Sequence, residues 1–200
     1  RSVPGGTWKI AAALTLVLGA TLLFWASRAY EVIAPNWDGL VRGIAYNPSH
    51  NFTLKNNQKV SPGRIDRDMA QLSQITGHIR TYTVDGGMER VPEIARRYGI
   101  TVSLGIWIGP DREENEKQLR LGIKTALANR RTIDRVFVGN EVLMRGDLSA
   151  DQLNVYIKRV REALPNRIKV TTAEPWSTWL LAPELGKYVD IISIHLLPYW

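Results

Sequence analysis

Hydrophobic positions along this chain fall into three regimes: one long apolar run, several short runs, and stripes of helical period between them. The long run, Ile10 to Ala26, carries no charged residue. At about 1.5 Å per residue it covers roughly 25 Å, near the short limit for spanning hydrocarbon. Trp8 and Trp25 bracket it as interfacial aromatics do, and Lys9 and Arg28 close its ends. A buried helix would show similar composition. So would a signal peptide cleaved near Ser27-Arg28-Ala29, although the run is longer than most signal cores. The pattern favours a membrane anchor over residues 10–27, flanked by residues 1–9, with the later domain outside the cytoplasm. Pro35, Asn36, Asp38 and Gly39 break any continuing helix, so residues 28–40 are predicted to be a linker.

Residues 41–200 then alternate between two periods. Short runs with β-like composition occur at Val41–Tyr46, His78–Tyr82, Ile100–Trp107, Val136–Gly139, Ile168–Ala173 and Ile191–His195. Between them lie helical stripes. Ile65, Met69, Leu72 and Ile75 line up within Arg64–Thr76, and Val91, Ile94, Ala95 and Tyr98 within Met88–Tyr98. Leu119, Ile123 and Leu127 form the expected inner face of Glu113–Asn129; Leu153, Tyr156, Ile157 and Val160 form that of Ser149–Leu164. Ser149 suits an N-cap, with Asp151 and Gln152 in the first turn, and Gly77 and Gly99 sit where helices should end.

Alternating strand and helix predicts βαβ units and a parallel sheet. An open doubly wound sheet is one outcome, but no Gly-rich loop follows the first strand, so a dinucleotide site is not expected. Polar and aromatic groups instead close one strand after another: Tyr46, Arg80 with Tyr82, Trp107, Asn140 with Glu141, Glu174 with Trp176, and His195. Function spread over many strand ends is the habit of a (β/α)₈ barrel. Such a barrel needs eight strands in about 250 residues. Six are visible, so the expected fold is an incomplete TIM barrel of about six βα units behind one transmembrane helix.

Composition narrows this picture. The net charge of +7 arises partly in helix-like segments such as Arg96-Arg97 and Lys158-Arg159-Val160-Arg161, where acids are interleaved. That is a solvated helix face, and no nucleic-acid partner is expected. The chain has no cysteine, which excludes disulfides and thiolate metal sites. No His/Asp/Glu cluster has metal-ligand spacing, so neither metal nor cofactor is expected. The absence of a Gly-x-Ser-x-Gly elbow disfavours a Ser-His-Asp hydrolase. Asn51-Phe52-Thr53 matches the glycosylation pattern and is taken as chance.

The chemistry concentrates at Val136-Phe137-Val138-Gly139-Asn140-Glu141. A carboxylate at the C-terminal end of a barrel strand reads as catalytic. Gly43-Ile44-Ala45-Tyr46, Ile79-Arg80-Thr81-Tyr82, Val138-Gly139-Asn140-Glu141-Val142, Thr172-Ala173-Glu174-Pro175-Trp176 and His195-Leu196-Leu197-Pro198-Tyr199-Trp200 follow in order. In these stretches the chain resembles glycoside hydrolase family 17, the β-1,3-glucanases, and more closely its bacterial members in membrane-anchored glucan-processing proteins. The resemblance implies a (β/α)₈ barrel and a retaining mechanism on β-1,3-linked glucose. It makes Glu141 the general acid/base and puts the nucleophile, a second Glu, on a seventh strand expected beyond the C-terminus.

Retention needs two carboxyl groups about 5–5.5 Å apart, one protonated and one attacking. Asn140 is the expected partner of the sugar 2-hydroxyl, a contact that strengthens in the transition state. Arg80, inside an apolar strand, needs a partner: it would hold a carboxylate ionised, namely the absent nucleophile, or serve a structural ion pair. Glu174 is expected to bind a sugar hydroxyl or to raise the Glu141 pKa by like charge. Tyr46, Tyr82, Trp107, Trp176, Tyr199 and Trp200 as a set would line a cleft where sugar faces stack, although any one of them could equally be core packing, and His195 is a substrate contact or a hydrogen-bonded strand-end residue. The partners implied are a β-glucan oligosaccharide or polysaccharide and the lipid bilayer. The alternative is a non-catalytic glucan-binding domain serving a membrane glucan synthase in the same chain or complex.

Overall fold

A computed structural model describes residues 6–29, 39–48 and 59–196 of the chain. The N-terminal unit contains one helix, α1 (Thr7–Arg28), with no buried residue. At about 1.5 Å per residue it is about 33 Å long, long and apolar enough to cross a membrane by length and composition. Most of the expected linker lies outside the described residues, as do the 51–53 motif, Tyr199 and Trp200.

The second unit, Leu40–Trp200, is α/β. Its strands are β1 (Ile44–Ala45), β2 (His78–Arg80), β3 (Thr101–Ile106), β4 (Ile133–Asn140), β5 (Lys169–Pro175) and β6 (Ser193–His195). They form one sheet in chain order, every neighbouring pair parallel. Crossovers are made by α2 (Pro62–Leu72), α3 (Val91–Arg96), α4 (Arg112–Ala128), α5 (Ala150–Ala163) and the short α6 (Trp176–Leu181). Sequential parallel pairing with one helix per crossover is the arrangement of a (β/α) barrel.

Alternation within the strands assigns the two faces of this sheet. Ile79, Val102, Leu104, Ile106, Val136, Val138 and Val170 are buried, at 0–1% exposure. Ile106 belongs to the helix side, because a methyl on Gly122 of α4 would strike it at 2.5 Å. The intervening residues are polar, small or aromatic: His78, Arg80, Ser103, Gly105, Phe137 and Thr171 share the other face through the register Arg80↔Ser103, Gly105↔Phe137 and Phe137↔Thr171. Oil therefore lies between sheet and helices, and chemistry lies on the concave side.

Local signals set the helix ends. Ser61 accepts from Arg64 N ahead of Pro62, Asp111 accepts from the amides of Glu113 and Glu114, and Ser149 with Gln152 completes a capping box, as expected for Ser149. Gly99 follows α3 at φ 70°. The helix expected over Met88–Tyr98 is divided into a 3₁₀ turn (Met88–Arg90) and α3, with Pro92 in the first turn of the latter.

The inner face of α4 differs from expectation. Leu119 is buried, but Leu127 is 40% exposed, and Asn115, Gln118, Gly122, Thr125 and Ala126 complete the packed face. Small residues admit the helix closely against Ile106. The polar pair is satisfied: Asn115 bonds the N–H and carbonyl of Gly109, and Gln118 Oε1 accepts from Thr83 Oγ1 and Val84 N. Counting apolar residues misses a face whose buried polar members find hydrogen-bond partners.

Gly105 marks the tightest approach within the sheet. A Cβ there would run into the Thr81 carbonyl oxygen and lie 2.6 Å from Tyr82 Cα. Backbone cannot rotate away, so Gly105→Ala is expected to destabilise the domain by about 1–3 kcal/mol or more. Urea unfolding checks this, and an unchanged midpoint would refute the close packing.

Candidate active site

The sheet's C-terminal rim is organised by the end of β4. Register shifts between Phe137 and Asn140, Gly139 takes φ 84°, and Glu141 takes φ 56°. Among the described residues Glu141 is the one non-glycine with positive φ. A left-handed non-glycine costs on the order of 1–3 kcal/mol and persists only where its surroundings over-determine it. Gly139 is required: a Cβ would collide with Val142 Cγ2. The bulge turns Asn140 and Glu141 out of the strand and presents both side chains at the rim.

The surroundings are specific. Glu141 N donates to Ala173 O at 2.7 Å, and Arg145 N to Glu141 O at 2.9 Å. Glu174, on β5, is fully buried, and its two oxygens accept from Leu143 N (3.0 Å) and Met144 N (3.3 Å). Burial raises the Glu174 pKa, opposed by these backbone donors and by Arg145. Arg145 donates to the carbonyls of Asn140 and Ile108 and pairs with Asp147 at 2.7 Å. The segment carrying Glu141 is thus tied down from both sides.

Two residues from distant strands complete the site. Arg80 of β2 lies with its guanidinium 4.0 Å from the Phe137 ring centroid and 5.1 Å from that of Tyr82. Its Nη2 donates to Asn140 Oδ1 at 2.7 Å, and its Nη1 lies 3.3 Å from His195 Nε2. His195 Nδ1 is 2.5 Å from Glu141 Oε1. Burial works against the Arg80 charge, with Tyr82 and Glu141 offsetting it, and its Nε is buried without a partner among the described residues. Asn140, Arg80, His195 and Glu141 therefore form one chain of contacts across β4, β2 and β6.

Several expected site residues stand elsewhere. Tyr46 is buried, and its hydroxyl donates to Asp68 of α2 at 2.9 Å; burial first, then Asp68, pushes its pKa up. It belongs to the helix-facing core and not to a cleft. Glu174 is buried and accepts from the amides of Leu143 and Met144. Among the described residues Arg80 bonds the Asn140 amide and the His195 imidazole. Trp107 is 38% exposed under the Arg145 guanidinium, 4.5 Å from its ring centroid, and Trp176, 53% exposed, opens α6. Sequence reasoning did not reach Arg145, or Phe137 as the floor beneath Arg80. The second was accessible from strand parity, which sets Arg80 and Phe137 on one face; the first had no local signal.

Glu174→Gln is expected to cost about 1–3 kcal/mol, since its amide NH₂ would confront one of the two backbone donors. A carboxyl raised in the folded state binds more protons folded than unfolded, so its contribution is fully present below about pH 4.3 and declines as pH rises through the folded value. The wild-type advantage over Glu174→Gln in urea unfolding should therefore be larger in acid than at neutral pH; the opposite trend would refute this.

A family model described as the BtgE/BtgC glycoside hydrolase domain matches residues 43–200. A glucan 1,3-beta-glucosidase of Arthroderma benhamiae is 31% identical over 117 residues, 57% of this chain and 37% of that protein. A probable glucan endo-1,3-beta-glucosidase btgC of Aspergillus terreus is 26% identical over 180 residues, 83% of this chain and 27% of that protein. Among solved structures, the family 17 beta-1,3-glucanosyltransferase of Rhizomucor miehei superposes with a TM-score of 0.66 at 28% identity, over 79% of this chain and 57% of that one. An active-site mutant of that enzyme, in complex with laminaritriose, superposes equally well. The chain spans well under half of these curated relatives and little more than half of the glucanosyltransferase. None of them bears on the bacterial, membrane-anchored branch.

Proposed function

Since the chain belongs to the BtgE/BtgC glycoside hydrolase domain family, we propose that it cleaves or transfers β-1,3-linked glucan with retention, Glu141 serving as general acid/base. The observation that carries this reading is Glu141 itself, held in a left-handed turn at a strand's C-terminal end against His195. The glucanase names of the relatives, and the laminaritriose bound to the glucanosyltransferase mutant, support the substrate class.

Glu141 protonates the leaving glycosidic oxygen, then takes a proton from the water or sugar hydroxyl that resolves the intermediate. Asn140, fixed by Arg80, offers its amide N–H to the 2-hydroxyl. Tyr82, Trp107 and Trp176 supply rings for sugar faces. The attacking carboxylate must stand about 5–5.5 Å from Glu141. Glu174 does not fill that role, because both its oxygens accept backbone N–H groups. The Nε of Arg80, without a partner among the described residues, suits such a carboxylate. Helix α1 acts as a single-pass anchor, with the barrel outside the cytoplasm. A second reading is glucan binding without cleavage, in the service of a membrane glucan synthase.

Incubation with laminari-oligosaccharides decides among these. Shorter products indicate hydrolysis and longer ones transfer; binding without products indicates the second reading. Glu141→Gln is expected to lower turnover by about 10²–10⁴-fold while keeping oligosaccharide affinity. Unchanged turnover would remove Glu141 from the acid's role.

A further inference from the structure

The contacts of His195 fix more than the location of the acid. Its ring is held at both nitrogens by groups of opposite character: Arg80 Nη1 at Nε2 (3.3 Å) and the Glu141 carboxyl at Nδ1 (2.5 Å). A guanidinium N–H can only donate. The ring nitrogen it faces must offer a lone pair, so the ring proton belongs on Nδ1. A proton on Nε2 would set two donors face to face.

Arg80 is itself held firmly enough to impose this. It is anchored by Asn140 Oδ1 at 2.7 Å and stacked on Phe137 at 4.0 Å. The other titratable groups nearby are differently engaged. Tyr82 lies against the guanidinium, and Glu174 of the neighbouring strand is paired in register with Ile194, not His195, and is bound to the amides of 143 and 144.

Resting on Glu141 as general acid/base, we propose that Arg80 is a positioning residue acting through His195: it fixes the proton on Nδ1, so that Oε1 of Glu141 always accepts and the transferable proton is confined to Oε2. One oxygen of the acid is then committed to holding orientation, and the other delivers the proton from a single direction. The carboxylate left after proton transfer keeps its donor, and when Glu141 later acts as base the incoming proton returns to Oε2. No group in the relay changes partner during the cycle.

The test is nitrogen NMR of the full chain labelled at histidine. The chain has three histidines, so His195 is identified by the resonance lost in His195→Asn. In the wild type Nδ1 should appear protonated and Nε2 unprotonated. Arg80→Met, which keeps length and removes the donor, should allow the Nε2-protonated form to appear. Arg80→Lys, which keeps a donor, should retain the wild-type tautomer and thereby guards against a folding defect in Arg80→Met. A wild-type ring protonated at Nε2, or an unchanged tautomer in a folded Arg80→Met, overturns the proposal.

Kinetics provides the second arm. In His195→Asn the amide nitrogen falls where Nδ1 was, so kcat should fall far less than in His195→Ala, with KM similar in the two. Loss of Arg80's donor should lower kcat by about 10²–10⁴-fold, the scale of general acid catalysis. Equal losses in His195→Asn and His195→Ala would overturn the relay. If Glu141→Gln proves active, the acid's assignment fails instead, while the NMR result still decides the tautomer.

Discussion

Everything at the rim depends on a backbone that does not want its shape. Glu141 occupies the left-handed region at φ 56°, one residue past Asn140 and two past a glycine at φ 84°. The strain, on the order of 1–3 kcal/mol, must be offset nearby. Two backbone amides on Glu174 and the carbonyls of Asn140 and Ile108 on Arg145 provide that. At about 0.5–1.5 kcal/mol net for each bond, the four together match or exceed the strain. Glu174 thus acts on Glu141 without a hydrogen bond to it, and Arg145 reaches it only through the backbone bond from its own amide to the Glu141 carbonyl.

The sheet segregates its two faces to make this possible. Helix-facing positions hold Val, Ile and Leu at close to zero exposure, and the cohesion of the domain lies there. The concave face is free to carry an arginine, a histidine and an asparagine. A buried guanidinium is costly unless paired. Here Phe137, Tyr82, Asn140 and His195 surround it, so the contacts that orient the site offset part of the cost of burial.

How much of this was legible depended on the range of the interaction. Capping at Ser149, the six strands and the position of Glu141 followed from neighbours in sequence. The roles of Tyr46 and Glu174 did not, because residues at strand ends alternate in direction, and both fall one position out of step with the face that carries Arg80 and His195. Tyr46 turns to Asp68, and Glu174 turns to the 143–144 amides. Leu127 was misjudged for a related reason: the inner face of α4 is chosen by close approach at Gly122 and by satisfied polar groups at Asn115 and Gln118, which hydrophobic counting cannot see.

The geometry of the candidate site and the sheet register are consequently one constraint. His195 reaches Glu141 because β6 pairs with β5 at Ala173↔Ser193 and Pro175↔His195. A slip of one residue reverses every side chain in a strand, sending Ile194 to the concave face and His195 behind the sheet. Arg80 is fixed in the same way by Arg80↔Ser103. The relay spans β2, β4 and β6, so it exists only when the four pairings that join them are all correct. An acid on an isolated strand end would carry no such requirement. Here the proton direction we propose depends on hydrogen bonds that also fasten together strands far apart in sequence, so loosening of the sheet anywhere from β2 to β6 reaches Glu141.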